Sequence, residues 1–254
     1  MINTVLLRSS PSSSCDNLSN ALNAKAVNYK NIFCYQILTN IEILNQAKQQ
    51  ISNYDNIIFT SPISTDIFCQ YLHNIEANLP EQLMLNKNIF AVGKTTANTI
   101  INNLPNLAHQ VFFPNIGSGI EDLNAYISNV FKLKIGSKIA VIQGGQLQYD
   151  INPYDTKNFI CYNKVDVFSD NKDLLRYFTN CSFLVIFSNN IAEIFANYIF
   201  THVNNKLRSI YLAKPIMAIH NNIATVLLKH GFTNVMIPKH AHQDYIIEAI
   251  VNWR

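Results

Sequence analysis

The residues best placed to do chemistry in this chain sit in short turns, not in any acid–base pair. The turns read Ser9-Ser10-Pro11-Ser12, Thr60-Ser61-Pro62, Gly93-Lys94-Thr95-Thr96, Asn115-Ile116-Gly117-Ser118-Gly119, Gln143-Gly144-Gly145-Gln146, Ser188-Asn189-Asn190 and His220-Asn221-Asn222. Each follows an apolar run. Free amides at the start of a helix attract anions, and small side chains let a ligand reach the backbone. Ser, Thr and Asn also cap helices wherever helices begin, so one such turn carries little information. The whole set points to a ligand with several carboxylates or phosphates.

Sharper motifs fail to complete. Gly93-Lys94-Thr95 resembles the end of a phosphate-binding loop, but the position of that loop's first glycine holds Asn88. Gly117-Ser118-Gly119 lacks the third glycine of a dinucleotide site. His240 and His242 form an H-x-H pair after Pro238 without an evident third ligand, so no metal is expected. Nothing resembles a nucleophile elbow or a Ser/His/Asp set.

The elements that must carry these turns alternate along the chain. Apolar runs rich in Ile, Val and Phe cover residues 4–7, 56–59, 88–92, 110–113, 138–142, 182–187, 215–219 and 234–237. They are apolar on both faces, as buried strands are. Helical spacing of three and four covers 63–75, 95–104, 120–131, 191–203, 223–229 and 245–253. Strand followed by helix predicts right-handed βαβ units and parallel sheets, which puts all the turns at the carboxyl edges.

The chain also repeats itself. Lys30-Asn31-Ile32-Phe33-Cys34-Tyr35 returns as Lys157-Asn158-Phe159-Ile160-Cys161-Tyr162, half the chain later. At the same offset Ile58-Phe59-Thr60-Ser61 returns as Val185-Ile186-Phe187-Ser188, and Ile89-Phe90-Ala91-Val92 as Ile216-Met217-Ala218-Ile219. A shared register argues for two similar lobes, and two lobes for a cleft that binds a small molecule.

Composition agrees. In 254 residues, 48% are hydrophobic and 14% charged, with a net charge of +3. That is a globular chain with core enough for two domains. There is no dense basic run for nucleic acid, no apolar run of membrane-spanning length and no leader pattern at the first residues. The five cysteines form no C-x-x-C pair, which suits a reducing cytoplasm. The absence of an apolar surface stripe predicts a monomer.

The strand 56–62, preceded by Tyr54-Asp55, and the block Ile89-Phe90-Ala91-Val92-Gly93-Lys94-Thr95-Thr96-Ala97 resemble the uroporphyrinogen-III synthase family. The family pattern is Asp, apolar strand, Phe-Thr-Ser-Pro, then apolar, Val-Gly, two variable residues, Thr-Ala. Val5-Leu6-Leu7-Arg8 and the strand and turn at 139–145 fall in the expected order, so the resemblance spans nearly the whole chain. It implies an α/β fold of two similar flavodoxin-like lobes. Each is a parallel sheet with helices on both faces, and two linker strands join them. Residues 1–35 and 171–254 would form one lobe, 43–161 the other, and 36–42 and 162–170 the linkers.

The resemblance also implies a reaction without a cofactor. Hydroxymethylbilane, a linear tetrapyrrole with eight carboxylates, loses its terminal hydroxyl as water. The last pyrrole ring attacks through its substituted carbon, a spiro intermediate fragments, and the ring inverts before closure to uroporphyrinogen III. Unaided, the substrate closes to the unflipped isomer. Ser61, Thr96 and Ser188 match positions lining the cleft, Gly93, Gly144 and Gly145 match its small turns, and Arg8 falls near a basic position able to meet a carboxylate. The turns themselves add Ser118, Asn189 and Asn222 as binding candidates.

Two departures stand out. The second Gly-x-x-Thr-Ala block reads His220-Asn221-Asn222-Ile223-Ala224, so a hydroxyl is lost at Ile223. The family's linker tyrosine, which assists loss of the hydroxyl, aligns with Phe168. Tyr162 and His220 are the candidate replacement donors. The alternative is a catalytically degenerate binding or sensor protein for an anionic small molecule.

Overall fold

The computed structural model describes residues 4–11, 13–115, 119–145, 149–240 and 243–253. The chain opens with strand β1 (Thr4–Arg8), helix α1 (Ser13–Ala24) and β2 (Tyr29–Phe33). It continues through β3 (Tyr35–Thr39), α2 (Ile41–Gln50), β4 (Asn56–Phe59), α3 (Pro62–His73), α4 (Leu79–Met84), β5 (Asn88–Ala91), α5 (Lys94–Asn103), β6 (Val111–Phe112), α6 (Ile120–Ala125), β7 (Lys138–Gly144) and β8 (Asp155–Asp166). It closes with α7 (Leu175–Asn180), β9 (Phe183–Ile186), α8 (Asn189–His202), α9 (Asn205–Leu212), β10 (Ile216–Ala218), α10 (Asn221–Lys229), β11 (Val235–Met236) and α11 (Gln243–Asn252).

Two compact units result. Met1–Gln36 with Val165–Arg254 form the first, and Ile37–Lys164 the second. The first holds a five-stranded sheet of order β11-β10-β9-β1-β2, the second a six-stranded sheet of order β3-β8-β7-β4-β5-β6. The strand pairings recorded in both sheets are parallel. β3 and β8, which carry the chain from one unit to the other, are neighbours in the second sheet.

Central strands are sealed on both faces. Every residue of β1, β4, β9 and β10 is buried, which is why these segments read as unbroken apolar runs. Val5 and Leu7 pack under α8 and α10, whereas Leu6 packs with Leu18, Leu22 and Ile246 of α1 and α11. The same alternation divides the second sheet between two cores around Phe59 and Phe90.

Helices start where the strand ends dictate. Ser61 accepts the amide of Ser64, Ser64 returns a bond to the Ser61 amide, and Pro62 opens the first turn of α3. Ser188 caps α8 in the same way through the amide of Ile191. The helix expected over 120–131 changes its winding. After α6, Tyr126–Phe131 form a π-helical turn ending at Lys132 in the left-handed region. Leu123, Ile127 and Phe131 are spaced by four, and that spacing suits the wider winding as well as the α-helix. β2 shows one buried residue, Ile32, and α9 none. Elements so weakly apolar leave little periodic signal.

Phe168 is fully buried in the first unit. Its ring lies 5.9 Å from that of Phe178 and 4.9 Å edge-on to Tyr198. A side chain there faces the aromatic core, so its identity bears on packing. Replacing Phe168 with Tyr puts a hydroxyl among aromatic rings and is expected to cost about 1–3 kcal/mol. Urea unfolding of the variant should show a lower midpoint at unchanged slope; an unchanged midpoint would show that the cluster has room for the oxygen.

Candidate functional site

In the second unit the carboxyl edge is organised around Tyr162. β7 and β8 run in regular register from Lys138↔Asp155 to Gln143↔Ile160, and then the register slips so that Gly144 faces Tyr162 and Cys161 is skipped. This is a β-bulge in a parallel pair, an uncommon place for one, and bulges re-aim side chains. Without it Cys161 would face Gly144. With it the Tyr162 ring lies directly against the Gly144 backbone, and its Cζ, Cε1 and Cε2 occupy the volume that a Cβ on Gly144 would fill. Gly145 then donates its amide to the Tyr162 carbonyl at 2.9 Å, adopting φ +84°, a backbone that glycine tolerates.

Lying across β7, the ring brings its hydroxyl 3.3 Å from Ser61 Oγ, at the end of β4. Ser61 is itself held. Its Oγ accepts the Ser64 amide at 3.1 Å and donates to Ser64 Oγ at 3.1 Å, while Ser64 Oγ donates to the Ser61 carbonyl at 2.9 Å. Tyr162 is 3% exposed. Burial raises its phenol above the ordinary tyrosine value, and the bond with Ser61 opposes that shift. It is therefore a neutral phenol throughout the neutral range. Cys161 beside it is no nucleophile, because burial pushes its thiol up to about 12 against a bond from the Gln143 amide.

The remaining candidates of this unit occupy the same edge. Gly93 precedes α5 in extended backbone. Thr96 is in the first turn of that helix and is 3% exposed. Ser118 lies outside the described residues.

In the first unit a hollow of about 510 Å³ opens at the starts of α8 and α10, lined by Phe187, Ser188, Asn189, His220, Asn221, Asn222 and Ile223. His220 precedes α10 in extended backbone without a side-chain cap bond. Ile223, at the edge of this hollow, is 2% exposed and packs into the core beneath. Arg8, at the end of β1, is 5% exposed. Its guanidinium stacks 4.4 Å above the ring of Phe187, and its Nε and Nη2 have no hydrogen-bond partner among the described residues. A buried cation with idle donors is costly, and such cost is characteristic of a group kept for a ligand.

Sequence reasoning brought forward Tyr162 and Ser61 as separate residues and missed their contact. It missed Ser64 and Phe187 altogether. Ser64 carried a signal as the third residue after a capping serine. Phe187 carried none beyond its place at a strand end. No group of three or more His, Cys, Asp and Glu able to hold a metal occurs among the described residues.

Known proteins resemble the chain in two ways. The model of the family described as uroporphyrinogen-III synthase HemD matches residues 33–248. Among solved structures, uroporphyrinogen-III synthetase of Helicobacter pylori superposes with a TM-score of 0.56 at 15% identity, covering 100% of both chains. A mutant uroporphyrinogen III synthase of Thermus thermophilus gives 0.55 at 10% identity, covering 99% of this chain and 100% of its own. At such identities the structures speak for the fold alone. Curated protein sequences give no match. The family match, spanning most of the chain, shows that this protein belongs to the uroporphyrinogen-III synthase family.

Proposed function

We propose that this cofactor-independent lyase of tetrapyrrole biosynthesis closes hydroxymethylbilane with Tyr162 as the source of the proton that leaves with the terminal hydroxyl. The observation that carries this reading is the contact of the buried, neutral phenol of Tyr162 with the hydroxyl of half-buried Ser61 at the strand edge. As the carbon–oxygen bond of the hydroxymethyl group breaks, Ser61 passes its proton to the departing oxygen and takes that of Tyr162, so water leaves. The pyrrole nitrogen supplies the electron pair that forms the azafulvene. The phenolate regains a proton when the new ring junction loses one on aromatisation.

Everything else in the reaction is placement. The substrate closes by itself to the wrong isomer, so the protein has to hold the last ring in the inverted approach. Amides and small polar side chains at the strand edge beside Tyr162, those of Gly93, Gly145 and Thr96, suit its carboxylates, and Ser188, Asn189, His220 and Asn222 offer donors of the same kind in the first unit. Arg8 supplies a buried charge. No observation favours a non-catalytic sensor, since Phe168 and Ile223, the two departures behind that alternative, both lie in the core of the first unit. We further infer a monomer working in the cytoplasm. Among the described residues Cys34, Cys69, Cys161 and Cys181 are free and buried, as a reducing compartment allows, and exposed apolar side chains such as Ile75, Val130, Ile135 and Ile210 occur in both units. No described helix is long and apolar enough to cross a membrane.

Tyr162→Phe should lower turnover of hydroxymethylbilane by about 10²-fold or more. The type I isomer should rise as spontaneous closure overtakes the enzyme. Isomer separation after oxidation reads both, and full turnover with an unchanged type III fraction would remove Tyr162 as the proton source. Arg8→Met should act in two directions. Removing a buried, partly unpaired cation is expected to stabilise the ligand-free protein by about 1 kcal/mol or more, seen in urea unfolding. The lost charge-assisted bond should raise KM for hydroxymethylbilane by roughly tenfold. A less stable variant with unaltered KM would show that Arg8 serves the fold instead.

A further inference from the structure

We infer that Gly144 is a positioning residue for catalysis: its missing side chain is what lets the Tyr162 ring cross β7 and reach Ser61. The inference rests on the reading of Tyr162 as proton source and adds the device that sets it.

The strand order β8-β7-β4 puts two interstrand spacings, roughly 10 Å in all, between the backbone of Tyr162 and that of the turn after β4. A tyrosine spans such a gap only by lying flat over the intervening strand. On β7 the intervening residue is Gly144, placed opposite Tyr162 by the register shift. Any Cβ there would stand inside the phenol ring. The atoms it would meet are at the far end of a side chain, so the ring would yield before the backbone did. A substitution should therefore fold and misplace the hydroxyl. Gly144 has no φ in the left-handed region, unlike Gly145 next to it, so backbone conformation does not demand glycine at 144. Only the ring does.

The other copy of the repeat shows the alternative. In the first unit Cys34 and Tyr35 donate their amides to the carbonyls of Arg8 and Ser9, both at 2.9 Å. Ser9 thus stands where Gly144 stands in the second unit. The β1–β2 register runs unshifted to Arg8↔Phe33. Tyr35 there is half-buried, and its hydroxyl accepts a bond from Asn190 Nδ2 at 2.7 Å.

The test is a cycle of Gly144→Ala, Tyr162→Phe and the double variant, with kcat, KM, type III fraction and phenol titration by phenolate absorbance. Gly144→Ala should lower kcat by about 10²-fold, change KM less than about threefold and reduce the type III fraction. In the Tyr162→Phe background it should cost less than about twofold, because the hydroxyl it displaces is already gone. The same loss in both backgrounds would overturn the inference. Tyr162 titration, isolated by difference against Tyr162→Phe, should fall toward the ordinary tyrosine value in Gly144→Ala. An unchanged titration would refute the packing even if Tyr162 proved not to be the donor, whereas full activity of Tyr162→Phe alone would refute the donor and leave the packing standing. Should Gly144→Ala fail to fold, adding Tyr162→Ala should restore folding, and failure to do so would place the defect elsewhere than under the ring.

Discussion

Parallel strands impose one constraint from which most of this molecule follows. Each strand must be left at its carboxyl end and entered again at its amino end, so the turns into helices collect at one edge of each sheet. There the chain has no room for long side chains and no need of them. Helix starts supply amides, and Ser, Asn and Gly complete them. Such an edge offers many weak donors in fixed positions and very little acid or base. For a substrate that cyclises without help, fixed positions matter more than strong groups, because the barrier to closure is already low and only the geometry of closure is at stake.

Arg8 is the exception. It is a full charge, almost wholly buried, with donors idle and an aromatic ring beneath it. The contact with Phe187 recovers part of the cost of burying that charge, and the idle donors leave the rest. Stability lost at Arg8 is recovered from the apolar strands around it, Leu6, Leu7, Leu184 and Ile186 among them, all fully buried. The core thus tolerates a residue whose benefit, on the proposed reading, appears when an anion arrives.

Much of this was legible in the residues. The buried strands announced themselves because both faces are covered. The capping serines at 61 and 188 announced the helices behind them, and the internal repeat announced two units of one kind. What escaped were facts that hinge on a single step of register. A slip of one residue on β8 decides whether Cys161 or Tyr162 meets Gly144, and no periodicity in the sequence marks it. Position 168 misleads for a related reason. A match by position along the chain ignores which way the side chain faces, and at 168 it faces a cluster of aromatic rings. Tyr162, one repeat away from Tyr35, was visible as part of a block that the chain writes twice, but its partner was not.

A neutral phenol is a poor acid, and burial makes this one poorer. On the proposed reading of Tyr162 as proton source, the protein has to stabilise the phenolate only while the carbon–oxygen bond is breaking. Ser61 is built for such a change. At rest its hydroxyl donates to Ser64 Oγ, 3.1 Å away, and its oxygen is anchored by the Ser64 amide. As charge builds on the departing oxygen, the Ser61 proton turns from Ser64 toward it. The proton that arrives from Tyr162 stays between the two oxygens, bonded to the new phenolate. No heavy atom of the pair has to move, and Ser64 Oγ keeps its bond to the Ser61 carbonyl throughout. Protons that turn between fixed oxygens need little reorganisation, which is the condition under which hydrogen bonds contribute most to a transition state. It also accounts for the company Ser64 keeps. Fully buried at the first turn of α3, it holds the capping serine still while leaving its proton free to choose.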